Sequence, residues 1–380
     1  MDVTAESLES LRTRQSVKWR AYPDDVLPLF VAEMDYPLAP AIKASMLDLI
    51  EANDLGYAMA PGAAGEAFAG FAARRWNWAV DPANVRTTTD VSVAIVESLR
   101  RVIAPGDRVV IMPPIYPPFF ELVPEAGGIV QEVPLLDDGS TWSIDLDGIE
   151  RALAAGARAI LLCNPHNPLG LVHSPSDLEA LAELAAAHEA FVVSDEIHGP
   201  LVHVPADFTP FLSVSDAARE HGIAVTSASK AFNIAGTKCA LMVAASDRSL
   251  AHLDAMPDEV TFRTSILGLH ANIAAFTAAD DWLDAVIVEL GESQNRLRSL
   301  LAEELPDVSF RPPRASYLAW LDLRALGWGD DPSAVALERA RVALNPGPEF
   351  GSQGRGFARL NFACSEDVLA RAIRRLAAAR

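Results

Sequence analysis

The sequence predicts an α/β fold, with a mostly parallel, seven-stranded sheet between helices and a smaller α+β part built from both chain ends. Three observations predict it. Between residues 85 and 244, seven short apolar runs alternate with helical patterns, as in a parallel sheet covered on both faces. At 380 residues, the chain exceeds the size at which one hydrophobic core stops growing, so two domains are expected. Several polar clusters follow directly on the apolar runs, at the carboxyl ends of the expected strands, where ligands gather in open α/β sheets.

Residues 1–39 are broken by prolines and hold one apolar run, Val26 to Ala32, ahead of Glu33-Met34-Asp35-Tyr36-Pro37. Ile42, Met46, Leu49 and Ile50 recur at helical spacing, which predicts a helix from Ala39 to about Ala52. Gly56-Tyr57 follows in a turn, then an Ala-rich helix from Ala67 to Trp76. Strands are expected at Val85–Thr89, Arg108–Met112, Gly128–Val133, Arg158–Cys163, Phe191–Ser194, Ile223–Thr226 and Cys239–Ala244. Helices are expected at Ala94–Ile103, Leu146–Ala154 and Leu178–His188. A long amphipathic stretch runs from Ser265 towards Leu301. The tail reads as strand (Tyr317–Leu323), helix (Ala334–Val342), strand (Phe357–Phe362) and helix (Val368–Ala378). The expected division is a large α/β domain over 40–260 and a small one from 1–39 and 261–380.

Composition is that of a globular protein, half hydrophobic and 22% charged. A net charge of −20 argues against nucleic acid or an anionic membrane as partner. Cys163, Cys239 and Cys364 lie far apart, without metal-binding spacing, and read as buried free thiols in a reducing compartment. No metal centre is expected. The acidic start lacks a secretory core, and no apolar run reaches the roughly 18 residues of a membrane span. A cytoplasmic location follows as an expectation.

The chemistry-bearing residues sit at strand ends. Ser227-Ala228-Ser229-Lys230 follows Ile223–Thr226. Lys230 reads either as a snorkelling surface lysine or as a desolvated amine able to act as nucleophile or Schiff-base former. Asn164-Pro165-His166-Asn167-Pro168-Leu169-Gly170 is a tight turn that is either a plain connection or a mount for Asn167 as a hydrogen-bond donor. Asp195 ends a buried strand and needs a cation or several donors. Glu196 is expected to turn outwards, and His198 lies near the same edge. Tyr116 stands in a Pro-rich run that either packs or presents an aromatic ring. Val91 and Ser92 open a helix after a strand, a ready phosphate site. Arg359, inside a strand-like run, is either an edge arginine or a fork for a carboxylate.

Together, in order and spacing, Tyr57, the 89–94 helix start, Tyr116, the NPHNPLG turn, Asp195, the SASK motif and Arg359 resemble the pyridoxal-phosphate enzymes of aminotransferase fold type I. The segments LPLFVAEMDYP (27–37), YPPF (116–119), SDEIH (194–198) and SKAFNIAGTK (229–238) are similar to those of the cystathionine β-lyase branch of carbon–sulfur lyases. That resemblance implies pyridoxal 5'-phosphate bound covalently by Lys230, with Asp195 on the ring nitrogen, Tyr116 stacked on the ring and Asn167 on its 3-oxygen. It places His198 nearby, where aminotransferases more often have tyrosine. Ser227, Ser229, Lys238 and the backbone of Val91-Ser92 would hold the phosphate, with Tyr57 from the other subunit of a homodimer. Arg359 would clamp the α-carboxylate of an amino-acid substrate, and Asn167 and Tyr57 would also face it. The implied reaction is β-elimination of L-cystathionine or a related cysteine S-conjugate, giving a thiol, pyruvate and ammonia. An aminotransferase, or a regulatory binding protein on the same fold, is the alternative. Three residues depart from the family pattern: Asp90 where glycine is common, Lys238 where many aminotransferases have arginine, and Leu169 in place of threonine.

Overall fold

Seven apolar strands pair into one sheet: β1 (Val85–Thr88), β2 (Arg108–Ile111), β3 (Ile129–Glu132), β4 (Ala157–Cys163), β5 (Phe191–Asp195), β6 (Gly222–Thr226) and β7 (Ala240–Val243). The computed structural model describes residues 3–59 and 62–380. The strand order is β1-β7-β6-β5-β4-β2-β3, parallel except for β7, which runs antiparallel to both β1 and β6. β7 reverses for a local reason. The segment 227–239 contains one short 3-10 turn, Ala235–Thr237, and parallel strands need a longer crossover that is usually helical.

Alternate residues of these strands enter two apolar layers. Val109, Ile111, Leu161, Val193 and Val225 pack with Ile95 and Leu99 of the helix Val91–Val102. Val110, Ile160, Leu162, Val192 and Leu241 pack into the larger layer on the other face, with Leu178 and Phe232. Burial on both faces is why the central runs are continuously apolar rather than alternating, whereas the edge strand β3 is half exposed.

A second sheet forms from β8 (Ser309–Phe310), β9 (Leu318–Asp322), β10 (Asn345–Pro346) and β11 (Phe357–Asn361), in the antiparallel order β8-β9-β11-β10. Arg359 therefore lies on an inner strand, not at an edge. The chain start is bound to this region. Leu27–Pro28 pairs in parallel with Val342–Ala343, and Asn361 donates its backbone N–H to Leu29 O at 2.9 Å. Lys18 and Asp35 form a fully buried ion pair at 2.7 Å, and Lys18 Nζ also donates to Glu33 O at 2.9 Å.

Several boundaries differ from those expected. The helix before β2 begins at Val91, because the Asp90 side chain caps it through Val93 N–H. The Pro-rich run after β2 contains a helix, Phe119–Glu125, with Pro118 at its start, a position where a missing N–H costs nothing. The stretch from Ser265 is two helices, Ile266–Ala278 and Asp280–Glu304, broken at Ala279. The helix expected at 334–342 starts at Pro332 and ends in a wider turn over Ala336–Ala340. Arg341 terminates it with φ +54°.

Candidate active site

The carboxyl ends of β1, β2, β4, β5 and β6 open onto one cavity of about 440 Å³, closed from above by Arg359 of the second sheet. Lys230, Asp195, Asn167, Tyr116, His198, Val91, Ser92, Ser227, Ser229, Lys238 and Arg359 all line it. Tyr57 does not. It is almost fully exposed in this chain.

Lys230 is carried by the loop between β6 and β7. The loop is held by Asn272, whose Oδ1 accepts the Ala228 N–H at 3.0 Å. Lys230 Nζ donates to Ala32 O at 2.9 Å. The same carbonyl accepts the hydroxyl of fully buried Tyr317 at 3.1 Å. Burial and the nearby Arg359 charge lower the Lys230 amine to about 8.

Asp195 is buried at the end of β5 and accepts one backbone N–H, from Ile197 at 3.2 Å. Burial raises its carboxyl to about 7, against the lowering effects of that bond and of Lys230. The Arg359 guanidinium donates to Asn167 Oδ1 (3.1 Å), Phe30 O (2.9 Å) and Asn345 Oδ1 (3.0 Å). Its Cζ lies 5.2 Å from the Phe350 ring centroid, while its Nε is buried with no partner. None of these partners is an anion, and burial lowers Arg359 to about 10. An arginine buried without a counter-ion is costly unless a ligand supplies one.

Asn167 is aimed by the turn after β4. Gly170 at its end takes φ +60°, and a Cβ there would stand 2.2 Å from Pro313 Cβ, so glycine is required. With its Oδ1 bound to Arg359, the amide N–H₂ of Asn167 is the part left to donate to a ligand. His198 is buried, its Nδ1 has no partner, and burial lowers it to about 3, so the ring is neutral. Burial raises the Tyr116 hydroxyl.

At the opposite end, one Asp90 oxygen accepts Val93 N–H at 3.0 Å and the other meets Lys238 Nζ at 3.1 Å. The acid is thus turned onto the lysine, and the first helical amides, Val91 and Ser92, have no intrahelical acceptor. Ser227 donates its hydroxyl to Cys239 O at 2.6 Å and accepts Ser229 N–H at 3.0 Å, which ties the loop to itself.

Glu196 does not turn outwards. It is buried, accepts from Ser194 Oγ (3.0 Å) and Phe211 N–H (2.7 Å), and burial raises it to about 8. The strand end leaves alternate side chains on opposite faces of the sheet, and both faces are covered here. Ala32, Asn345 and Glu349 at the cavity wall were not anticipated, nor was Tyr317 behind Ala32. Ala32 acts through its backbone. The Asn-Pro-Gly turn signal at 345–347 was the one local hint for Asn345 and Glu349.

The family model for aminotransferase class I and II matches residues 24–376. The chain belongs to that family. Among its relatives, a Mycobacterium tuberculosis protein named "Putative cystathionine beta-lyase" is 41% identical, over 99% of this chain and 96% of its own. The cystathionine beta-lyase of Corynebacterium glutamicum is 35% identical, over 97% of this chain and 98% of its own. The solved structure of cystalysin from Treponema denticola, which contains pyridoxal 5'-phosphate, overlays with a TM-score of 0.92 at 25% identity. It covers 99% of this chain and 97% of that one. The aminotransferase-family sheet described above, with its single reversed strand, is thus matched over nearly the whole chain.

Proposed function

We propose that this protein is a pyridoxal-phosphate-dependent carbon–sulfur β-lyase, acting on L-cystathionine or a related cysteine S-conjugate. The observation that carries the reading is one cavity holding a lowered lysine amine, a buried aspartate without a cation bonded to it, and a buried arginine without an anion bonded to it. Those three gaps are the ones that a cationic ring nitrogen, an aldehyde and an amino-acid carboxylate would fill. The relatives named as cystathionine β-lyases support the lyase over the aminotransferase.

Pyridoxal phosphate fits these residues. Lys230 would carry it covalently, Asp195 would bind its ring nitrogen, Asn167 its 3-oxygen and Tyr116 its ring. Lys238, Ser229, Ser227 and the Val91 and Ser92 amides would hold its phosphate, with His198 beside the ring. When bound, the cofactor supplies the electron sink that makes a Cα proton acidic. Arg359 would bind the substrate α-carboxylate and so fix the Cα–H bond relative to Lys230. Lys230 Nζ, freed when the substrate amine takes its place and made less basic by burial, would take that proton. Lys230, then carrying the Cα proton, would be the acid that can protonate the thiolate leaving from Cβ. Hydrolysis of the remaining three-carbon fragment gives pyruvate and ammonia.

The reading includes a division into 40–260 and the two flanking segments, with the cavity between them. It also includes a homodimer in which the exposed Tyr57 reaches the phosphate or substrate of the other subunit, and a cytoplasmic setting that suits three buried free thiols. Among the described residues, no helix is long and apolar enough to cross a membrane.

The test is direct. Purified protein loaded with cofactor should show a visible absorbance band and release pyruvate and thiol from L-cystathionine. Lys230→Ala should abolish the covalent band and cut turnover by about 10²–10⁴-fold. Conversion of the band to a pyridoxamine-like one without thiol release would identify an aminotransferase instead.

A further inference from the structure

One carboxylate at the cavity wall has no part in the chemistry above. Glu349 stands on the turn Gly347–Phe350, which connects β10 to the loop before β11, and it lines the cavity with Asn345, Tyr116 and Arg359. The turn is fixed from several sides. A Cβ on Gly347 would lie 2.2 Å from the carbonyl oxygens of Gly354 and Phe357, an approach that only glycine allows. Phe350 O accepts the Ile115 N–H at 2.9 Å, which joins the turn to the Tyr116 loop. The Glu349 side chain is exposed, but its backbone is held in place.

Its polar contact is with an amide, not a cation. Asn345 Nδ2 donates to Glu349 Oε2 at 3.3 Å, and Asn345 Oδ1 accepts from Arg359 Nη2 at 3.0 Å. Asn345 therefore stands between the carboxylate and the guanidinium. Arg359 stays free for one end of a ligand, while the Glu349 carboxylate stands at the mouth with no cation bonded to it among the described residues. The other carboxylates of the cavity are accounted for differently. Asp90 is paired with Lys238, and Asp195 is buried at the floor.

We propose that Glu349 reads the charge at the far end of the substrate's thioether side chain. It favours a thiol leaving group that carries an ammonium over one that carries only a carboxylate. A ligand held by Arg359 at its α-carboxylate must extend its side chain past this wall. A far ammonium gains a charge-assisted hydrogen bond there, whereas a far carboxylate meets like charge, which discriminates by repulsion. This inference rests on the lyase reading and names the class of S-conjugate that it takes.

The experiment compares, on the holoenzyme, three probes that share a two-carbon spacer to the terminal group: S-(2-aminoethyl)-, S-propyl- and S-(2-carboxyethyl)-L-cysteine, with pyruvate and free thiol as readouts. The aminoethyl probe should exceed the propyl probe by about fivefold in kcat/KM, the upper end for an exposed pair, with the difference in KM. The carboxyethyl probe should fall below both. Glu349→Gln should collapse these ratios towards one, Glu349→Lys should invert them, and added salt should narrow them in the wild type. A wild type without the preference, or a Glu349→Gln variant that keeps it, overturns the proposal. Absence of pyruvate from all three probes overturns the lyase reading instead. Calorimetric titration of the same probes then reads the charge preference separately, by the same Glu349→Gln criterion.

Discussion

Glu196 shows how a single buried acid couples to pH. Its carboxyl is raised to about 8 in the folded chain from an ordinary value of 4.5, with burial the main cause. A raised folded value means that the native state binds more protons than the unfolded one between those two limits. The stabilisation is complete below pH 4.5 and is lost as the pH rises towards 8. Glu196→Gln removes that loss, because an amide keeps the acceptor for Ser194 and Phe211 and never ionises. Thermal unfolding of the cofactor-free protein should match the wild type near pH 4.5 and show a growing advantage for the variant up to pH 8. A constant offset across that range would sink the assignment. Side chains of this kind were legible only by type. Lys230, Asp195, Asn167 and Arg359 stood out because each is polar at the end of, or within, an apolar run. Glu196 follows Asp195 directly, and alternation alone sent it outwards. The layer that covers it, around Phe211, lies fifteen residues further on.

At the scale of elements, the lysine loop depends on a helix that the sequence pattern blurred. Ile266–Ala278 presses on the turn Thr237–Lys238. A Cβ on Gly268 would sit 2.3 Å from Thr237 O and 2.8 Å from Lys238 O. The Ser265 N–H also donates to Lys238 O at 3.2 Å, and Asn272 receives Ala228 N–H from the other side. Gly268→Ala should therefore shift the turn that carries Lys238, at a cost of about 1–3 kcal/mol as for other overpacked sites. Denaturant titration should register the loss, and cofactor titration should show weaker binding. Unaltered cofactor affinity would mean that the turn adjusts freely. The strands of the large sheet were readable to within a residue or two, since burial on both faces makes the central ones uniformly apolar. The break at Ala279 was not, because alanine continues a helix as readily as it ends one, and the join is set by packing.

Across the whole molecule, the chain start is a structural part of the site. Leu27–Leu29 is bonded to residues 341–343 and to Asn361, the buried Lys18–Asp35 pair anchors the turn ahead of it, and Ala32 O receives Lys230. Burial raises the Asp35 carboxyl, against the lowering effect of Lys18. Removing one partner leaves the other charge buried, which costs about 3–5 kcal/mol. Lys18→Met should lower Tm accordingly and reduce turnover through the displaced Ala32 carbonyl. Lys18→Met combined with Asp35→Leu should recover most of the Tm. A double variant no better than the single one would show that the pair does more than satisfy itself. Nothing local in the sequence announced the contacts of 27–29, because they join segments more than 300 residues apart.

The closure of the N-terminal segment on the C-terminal region also sets an order of events on the ribosome. Domains fold as units during synthesis, N-terminal first. All seven strands of the large sheet have been made once Val243 emerges, and the lysine loop with them. The segment that completes the lysine's surroundings was made long before, yet its partners at 341–343 and 361 come almost last. Until those residues emerge, the nascent chain holds the strands of the large sheet beside an N-terminal segment that still lacks its 341–343 and 361 partners. A ribosome-arrested chain ending near residue 340 should accordingly be cleaved by protease around Val26–Ala32, and the same bonds should become resistant once Asn361 has cleared the exit tunnel.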